Sequence, residues 1–466
     1  MIKFLLLYPV MKSPCSSFGI ITVAIIFALL FTAPVHSNTG DIPELILDFP
    51  IFDGPFDWAN GYTFPSMNQS LNFSKNFYQY THLTLQKHFE NEPYWQSRVS
   101  IAAFDILAIW FPLGSSWLHE EWHRAVMSNR EVESYNEVYK FDLFSKTIAV
   151  TDVKDNDLVR FKRDHPAEFV RLHTAGIESG YELNFALEKD KFFFGTETQD
   201  DLLLWLNYAN NIAYIFIGSS SEADDITRDI IEDEGTDIAE RDFTGLDVTA
   251  WVYDLFRSDE PYEARGTHPS GVGIDRYISY SDLSDDEKDF LKKQRILSLL
   301  NLLDPFLVSK PYFIGTNPFN EKQIKWNFTV RHHLTSFGYC IGTNLFLQQD
   351  QYNLLTSFRL YSNRSHSFPG FGLELLRFPA DLFSKTLSIS SRIELWLQPE
   401  EQAFQTSSSE PGGLISLKTA YPLSKNIESY IELEGKTDGW VAGNVYLDDN
   451  FSVRIGITWK ILPKKK

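Results

Sequence analysis

The sequence predicts an α+β protein in two parts, a mainly helical domain over residues 41–320 and an antiparallel β domain over residues 321–463. Apolar segments of helical length dominate the first part. In the second part apolar and polar residues alternate with a period of two, and short turns separate the alternating segments. Helices followed by a run of strands indicate an α+β fold.

The first residues have the features of a secretory signal. Lys3 and Lys12 precede a charge-free, mostly apolar run over residues 20–31, and Val35 and Ser37 suit the −3 and −1 positions of a signal peptidase. A membrane anchor is the alternative, but the run is short for a spanning helix. We therefore expect residues 1–37 to be a cleaved signal peptide and the protein to be exported, to the outer membrane or the periplasm.

The charge balance and the cysteine content narrow the functions further. The chain has 62 acidic and 42 basic residues and a net charge of −20, which disfavours nucleic acid as a partner. Removal of the signal leaves Cys340 as the single cysteine, so the fold must depend on a packed core or on a metal. The acidic run from Glu222 to Asp242 is typical of a solvated face.

Three apolar segments predict the main helices. Ser100–Met127 contains Pro112 near its middle, which indicates a kinked helix pair, and Leu202–Ile217 and Leu291–Val308 follow it along the chain. The first two could lie against a membrane, but neither has the charge-free length of a spanning helix, so we expect core helices.

About nine strands are predicted in the second part. The clearest is Phe451–Ile461, where every second residue is apolar and the residues between are small or polar. The other predicted strands lie at Trp326–Val330, Phe337–Leu347, Leu354–Tyr361, Gly370–Phe378, Leu387–Leu397, Leu414–Tyr421, Ile427–Leu433 and Val441–Leu447.

A long antiparallel sheet usually closes or pairs, because open edges aggregate. In a membrane barrel the apolar face contacts lipid, whereas in a soluble barrel or sandwich it forms the core. Export, repeated long strands and aromatic residues near the strand ends favour the membrane barrel. Over this last third the chain resembles bacterial outer-membrane β-barrels, and the resemblance implies association with the membrane through the β domain.

The most specific motif is H-E-x-x-H at His119-Glu120-Glu121-Trp122-His123. On a helix, residues four positions apart lie on one face, so His119 and His123 can hold one zinc ion. Glu120 can then act as the general base that takes a proton from water activated by the zinc. The alternative is that both histidines are surface residues on an amphipathic helix.

A zinc site of this kind needs a third protein ligand. Glu178 is the best candidate, and together with Glu182 and the H-E-x-x-H motif it resembles the gluzincin type of zinc metallopeptidase. The resemblance implies that Glu178 is the third ligand and that Glu182, one turn later, orients a ligand histidine. His173 is the alternative third ligand, and His165 is a weaker one.

The loop that begins Arg265-Gly266-Thr267-His268 carries other candidate site residues. His268, Arg276 or Tyr277 could donate a hydrogen bond to an oxyanion or contact the substrate. An ordinary surface connection is the alternative.

Together these features predict an exported zinc-dependent hydrolase, in particular a metallopeptidase acting on a peptide or protein substrate. The peptide substrate is implied by the gluzincin resemblance. The alternative is an outer-membrane barrel protein of surface or transport function, whose helical domain plugs or binds and whose H-E-x-x-H motif is incidental.

Overall fold

The computed structural model describes residues 45–54, 64–141, 148–196, 198–318, 320–382 and 385–462. The predicted signal peptide lies outside the described residues. Helices fill most of the N-terminal part, and a ten-stranded antiparallel sheet is built mainly from the C-terminal part. The predicted α+β class is confirmed.

The helices begin at recognisable signals. Ser66 and Ser284 each form a capping box at the start of a helix, and Pro166 occupies the first turn of the longest one, where a missing N–H costs nothing. The α-helices of the described residues are α1 (Met67–His88), α2 (Tyr94–Leu107), α3 (Ser115–Ser128), α4 (Asp155–Asp164), α5 (Pro166–Phe193), α6 (Asp201–Gly218), α7 (Glu222–Asp233), α8 (Asp247–Phe256) and α9 (Asp285–Ser298).

Helices α2 and α3 form the predicted kinked pair. A short 3-10 turn and the extended residue Phe111 separate them. The combined stretch Tyr94–Ser128 is long and apolar enough to cross a membrane by length and composition. However, the break at Phe111 divides the stretch into two helices, and α3 is buried along nearly its whole length inside the protein.

The strands form one large sheet and one small one. Their bounds are β1 (Leu45–Gly54), β2 (Tyr135–Asn136), β3 (Val150–Thr151), β4 (Phe313–Thr316), β5 (Gln323–Thr335), β6 (Gly338–Gln349), β7 (Tyr352–Ser362), β8 (Ser367–Leu382), β9 (Lys385–Pro399), β10 (Ser409–Pro422), β11 (Ile427–Lys436) and β12 (Asn450–Ile461). The large sheet has the order β1-β12-β11-β10-β9-β8-β7-β6-β5-β4, and β2 pairs with β3. Every paired strand is antiparallel to its neighbour.

The large sheet does not close. Its end strands β1 and β4 do not pair with each other within the described residues, and the small β2–β3 pair is no second layer of a sandwich. The predicted barrel is therefore corrected to an open sheet. Closure fails because β1 packs against α1 and the edge of β5 beyond β4 packs against the helical part, so helices lie where barrel strands would continue.

Two segments differ from the sequence prediction. Leu45–Gly54, which we placed in the helical part, is a strand that pairs with β12. Val441–Leu447, predicted as a strand, is a loop. Its alternating apolar residues are buried side chains of that loop, since Val441, Val445 and Leu447 all pack into the core.

The helical part packs against one face of the sheet, which we call the inner face. The long helix α5 contacts α3, α6, α8 and β5. The main hydrophobic core joins Trp122 of α3, Tyr181 of α5 and Trp251 of α8 to Phe346 of β6. The H-E-x-x-H helix is thus enclosed by other helices.

Candidate metal centre

Three side chains converge between α3, α5 and α8. His119 and His123 lie one turn apart on α3, and Asp247 is the first residue of α8. Asp247 Oδ2 lies 3.2 Å from His119 Nε2 and 3.5 Å from His123 Nε2. One potential ligand atom from each residue lies within 4.8 Å of the other two, and all three side chains are buried. Two imidazoles and a carboxylate are a ligand set suited to a divalent metal ion.

A glycine on α5 leaves space beside this group. A Cβ atom at Gly176 would lie 2.2 Å from His119 Nε2 and 2.4 Å from His123 Nε2. The same Cβ would lie 2.3 Å from the ring carbon Cδ2 of His119, so any side chain at this position would collide with both rings. Only glycine keeps this space clear.

The ring of His123 is oriented for metal binding. Its Nδ1 lies 2.6 Å from the carbonyl oxygen of Leu172, which can only accept a hydrogen bond, so Nδ1 carries a proton. Phe243 packs against the same ring, with centroids 5.0 Å apart. His123 Nε2 and Asp247 Oδ1 have no hydrogen-bond partner among the described residues, as expected of atoms that bind an ion.

The charges of the site favour a cation. Burial lowers the pKa of His119 to about 4. Burial opposes ionisation of Asp247 and of His123, but the attraction between them outweighs it, so the pKa of Asp247 is lowered and that of His123 is raised. Burial raises the pKa of Glu120 to about 7, in the range useful for a general base at neutral pH.

Glu178 is not part of this group, which corrects the predicted third ligand. Its carboxylate accepts hydrogen bonds from Arg171, at 3.1 Å, and from the backbone N–H of Gly443, at 2.7 Å. The reason is helical geometry: two residues correspond to about 200° of rotation, so Glu178 points away from the face on which Gly176 approaches the histidines. Glu182 lies on the same side as Glu178 and does not contact the histidines; it lines a polar cavity of about 260 Å³ against the sheet.

His173, the alternative third zinc ligand, has a structural role. Its Nε2 lies 2.7 Å from Asp254 Oδ2, and its Nδ1 lies 3.0 Å from the hydroxyl of Thr244. Both ring nitrogens are therefore occupied. His165 is the residue before α5 and is not in the cluster.

The residues of the glycine-rich loop contact the segment before α8. His268 Nδ1 accepts from the backbone N–H of Ser270. The Arg276 guanidinium and the Tyr277 hydroxyl both donate to the carbonyl of Asp242, at 3.2 and 3.3 Å. They therefore hold the segment that leads into α8, and the structure does not place them as direct contacts of the histidines.

Sequence reasoning missed Asp247 and Tyr214. Tyr214 of α6 is buried, its ring centroid is 6.1 Å from that of His119, and its hydroxyl is 3.5 Å from the backbone nitrogen of Asp247. A signal for Asp247 did exist. It is an acid at the start of a short, largely apolar helix, where a buried carboxylate needs a partner.

A small cavity adjoins His119. Its volume is about 50 Å³, enough for a few water molecules, and it lies between α2, α3, α5 and α6. Besides His119, the polar residues that line it are Asp105, Ser115, Ser116, Ser179, Asn207, Asn210 and Asn211. His119 is therefore next to a polar cavity. The other two residues of the cluster, His123 and Asp247, do not line it.

Compared with protein-family models, curated proteins and solved structures, the chain matches none.

Proposed function

We propose that the protein is an exported, metal-dependent hydrolase that cleaves peptide bonds, with His119, His123 and Asp247 as its metal ligands. The observation that carries the proposal is the convergence of these buried side chains beside the gap at Gly176. Three protein ligands with room for a further one are characteristic of catalytic zinc sites, whereas structural sites usually have four.

The residues fit a zinc ion. Imidazole nitrogen suits zinc, and a carboxylate supplies the negative charge that two neutral imidazoles lack. His123 Nε2 and Asp247 Oδ1, two potential donor atoms of the group, have no hydrogen-bond partner among the described residues. When bound, zinc supplies a Lewis acid that polarises a carbonyl and lowers the pKa of water.

Glu120 supplies the proton transfer in this proposal. It is adjacent to His119 on α3 and fully buried. Because burial brings its pKa to about 7, it can receive a proton from the attacking water and return it to the leaving amine. Tyr214, beside His119, is a candidate donor to the oxyanion that forms on the substrate carbonyl.

The choice of a peptide substrate follows from the H-E-x-x-H pattern, which on a helix is typical of metallopeptidases. The cavity beside His119 holds only a few water molecules, so a peptide would reach the buried cluster only after the surrounding helices move apart. An ester or another amide would undergo the same chemistry.

A second candidate function is that of a binding or transport protein whose helices plug the sheet. The observation that favours it is the polar cavity of about 260 Å³ between α5 and the inner face of the sheet, which charged residues line on both sides. This function requires no metal at His119.

The test is hydrolysis by the purified protein of a fluorogenic peptide library and of matched ester substrates. We expect cleavage of peptides that a chelator abolishes and zinc restores, and no cleavage by His119→Ala. Cleavage that survives both treatments would contradict the hydrolase proposal, and a protein without metal or activity would favour the second candidate.

A further inference from the structure

The outer face of the large sheet, opposite the helices, carries a continuous set of exposed apolar side chains, which we call the apolar band. Across neighbouring strands these residues pair directly, as in Phe371 with Leu395 and Ile431 with Ile455. The band consists of Phe358, Leu360, Phe371, Leu373, Ile393, Leu395, Leu397, Ile415, Leu417, Ile427, Ile431, Leu433, Phe451, Ile455, Ile457 and Trp459. The outward positions between them are small or uncharged residues such as Thr356, Ser391, Thr419 and Ser429. A patch of this extent is uncommon on a protein that faces water.

The inner face is mixed: Phe346, Leu355 and Leu414 pack in apolar cores, whereas charged pairs surround the polar cavity. Arg454 pairs with Asp53, Glu432 and Glu434, and Lys418 pairs with Asp48. In a water-soluble protein the face that meets the helices is apolar and the face that meets solvent is polar. Around the cavity the polarity is inverted, because charged side chains face the helices and apolar side chains face outward, and this indicates an apolar surrounding.

The height of the band matches a bilayer. On β12 every second residue from Phe451 to Ile461 points outward, and all six are apolar. The inward residues between them are small, polar or basic: Ser452, Arg454, Gly456, Thr458 and Lys460. Ten residue steps at about 3.3 Å extend about 33 Å along the strand. A strand tilt of about 40° reduces this to about 25 Å, the height of the apolar band on membrane-embedded sheets.

Several backbone groups on the free edges of the sheet bond to side chains of the helical part. On β1 the carbonyl of Asp48 accepts from Asn76 of α1, at 2.7 Å. On β5 the N–H of His332 donates to Asn301, at 2.9 Å, and the carbonyl of Thr335 accepts from Trp251 of α8, at 3.0 Å. Unpaired edges are not tolerated in hydrocarbon, and these bonds show that the helical part covers parts of both edges.

Helices also continue the apolar surface between the two edges. Along this side α1 contacts α2, α2 contacts α6, and α6 contacts the turns before β4. Exposed apolar residues of these elements are Trp95, Val99, Ile106 and Leu107 on α2, Phe216 on α6, and Leu302, Leu303 and Val308 in the turns. The apolar surface thus extends beyond the sheet. A second copy of the chain would cover only one side of this surface, whereas lipid would cover all of it.

From these observations we infer that the protein lies in a phospholipid bilayer, with the acyl chains against the apolar band and the helical part closing the open sheet. The inference goes beyond the proposed hydrolase, because it depends on neither the metal nor the activity. It also differs from an ordinary barrel, because helices take the place of the missing strands.

The test compares two arginine substitutions in the full chain. Ile455→Arg lies in the middle of the band, whereas Leu423→Arg replaces a somewhat more exposed apolar residue, in the turn between β10 and β11. We expect wild type and Leu423→Arg in urea-washed membranes, released by detergent alone, and at least a tenfold lower membrane-bound yield of Ile455→Arg.

A second measurement does not depend on whether Ile455→Arg folds. Wild type and Trp459→Phe are reconstituted in phosphatidylcholine vesicles with and without brominated acyl chains. We expect bromine to quench tryptophan fluorescence in wild type, with a smaller quenched fraction in Trp459→Phe, because Trp459 is in the band. Recovery of wild type in water as a monomer, or as an oligomer that hides the band, would overturn the inference, and so would equal quenching in both proteins.

Discussion

Gly176→Ala should remove metal binding and leave the fold intact. The added methyl group would lie 2.2 Å from His119 Nε2 and 2.4 Å from His123 Nε2, where ordinary contact is about 3.5 Å. One or both rings must therefore move by about 1.3 Å, and ligand positions tolerate only about 0.2 Å. We expect zinc affinity to fall by a factor on the order of a hundred or more, exceeding the usual effect of losing a residue that merely orients a ligand.

The effect on stability should be small, because two contributions oppose each other. Crowding in a packed interior costs about 1–3 kcal/mol. Alanine in a helix interior is favoured over glycine by about 1 kcal/mol. We therefore expect the free energy of unfolding to change by at most about 2 kcal/mol.

Zinc affinity, from competition with a chromogenic chelator, and unfolding in denaturant are the two measurements. Gly180→Ala is the matched control: it lies one turn later on α5, and its Cβ would meet the Asn211 amide at 2.8 Å and no metal ligand. It should bind zinc as wild type does. Wild-type zinc affinity in Gly176→Ala would refute the placement of the metal beside this helix.

Two further predictions concern the base and the buried histidine of α1. Glu120→Gln should retain zinc and lower the turnover number by a factor on the order of a hundred or more, because the amide cannot accept the proton; unchanged turnover would exclude Glu120 as the base. Burial lowers the pKa of His82, but Asp105 and Asp200, at 2.6 and 2.8 Å, outweigh it and raise that pKa to about 10. The ion pairs of His82 should therefore stabilise the fold fully below pH 6.5 and be lost as pH rises through about 10. Denaturant unfolding at pH 6.5, 8 and 10 should show a steeper fall for wild type than for His82→Gln, and parallel curves would contradict this assignment.

Local patterns predicted most elements of the fold. Period-two alternation located β12 correctly, because it depends on the pleat alone. The same rule failed at Val441–Leu447, where the alternating residues are buried in a loop. It also missed β1, since residues 45–54 are separated from their partner β12 by nearly the whole chain, and no local pattern specifies such a pairing.

The sequence predicted only part of the candidate site. The two histidines and Glu120 follow from helical spacing within one element. Asp247, the residue that completes the cluster, depends on which helices meet in space, whereas spacing along the chain favoured Glu178. The i, i+4 pair of Glu178 and Glu182 does share one face of α5, but that face meets Gly443 and the sheet, whereas Gly176 faces the histidines.

The most direct test of the account is the zinc content of three purified proteins, measured by mass spectrometry after equilibration with equimolar zinc and removal of loose metal. The account predicts about one zinc per chain in wild type and in Glu178→Ala, and far less than one in Asp247→Ala. Zinc retained by Asp247→Ala and lost from Glu178→Ala would contradict the assignment of His119, His123 and Asp247 as the metal ligands.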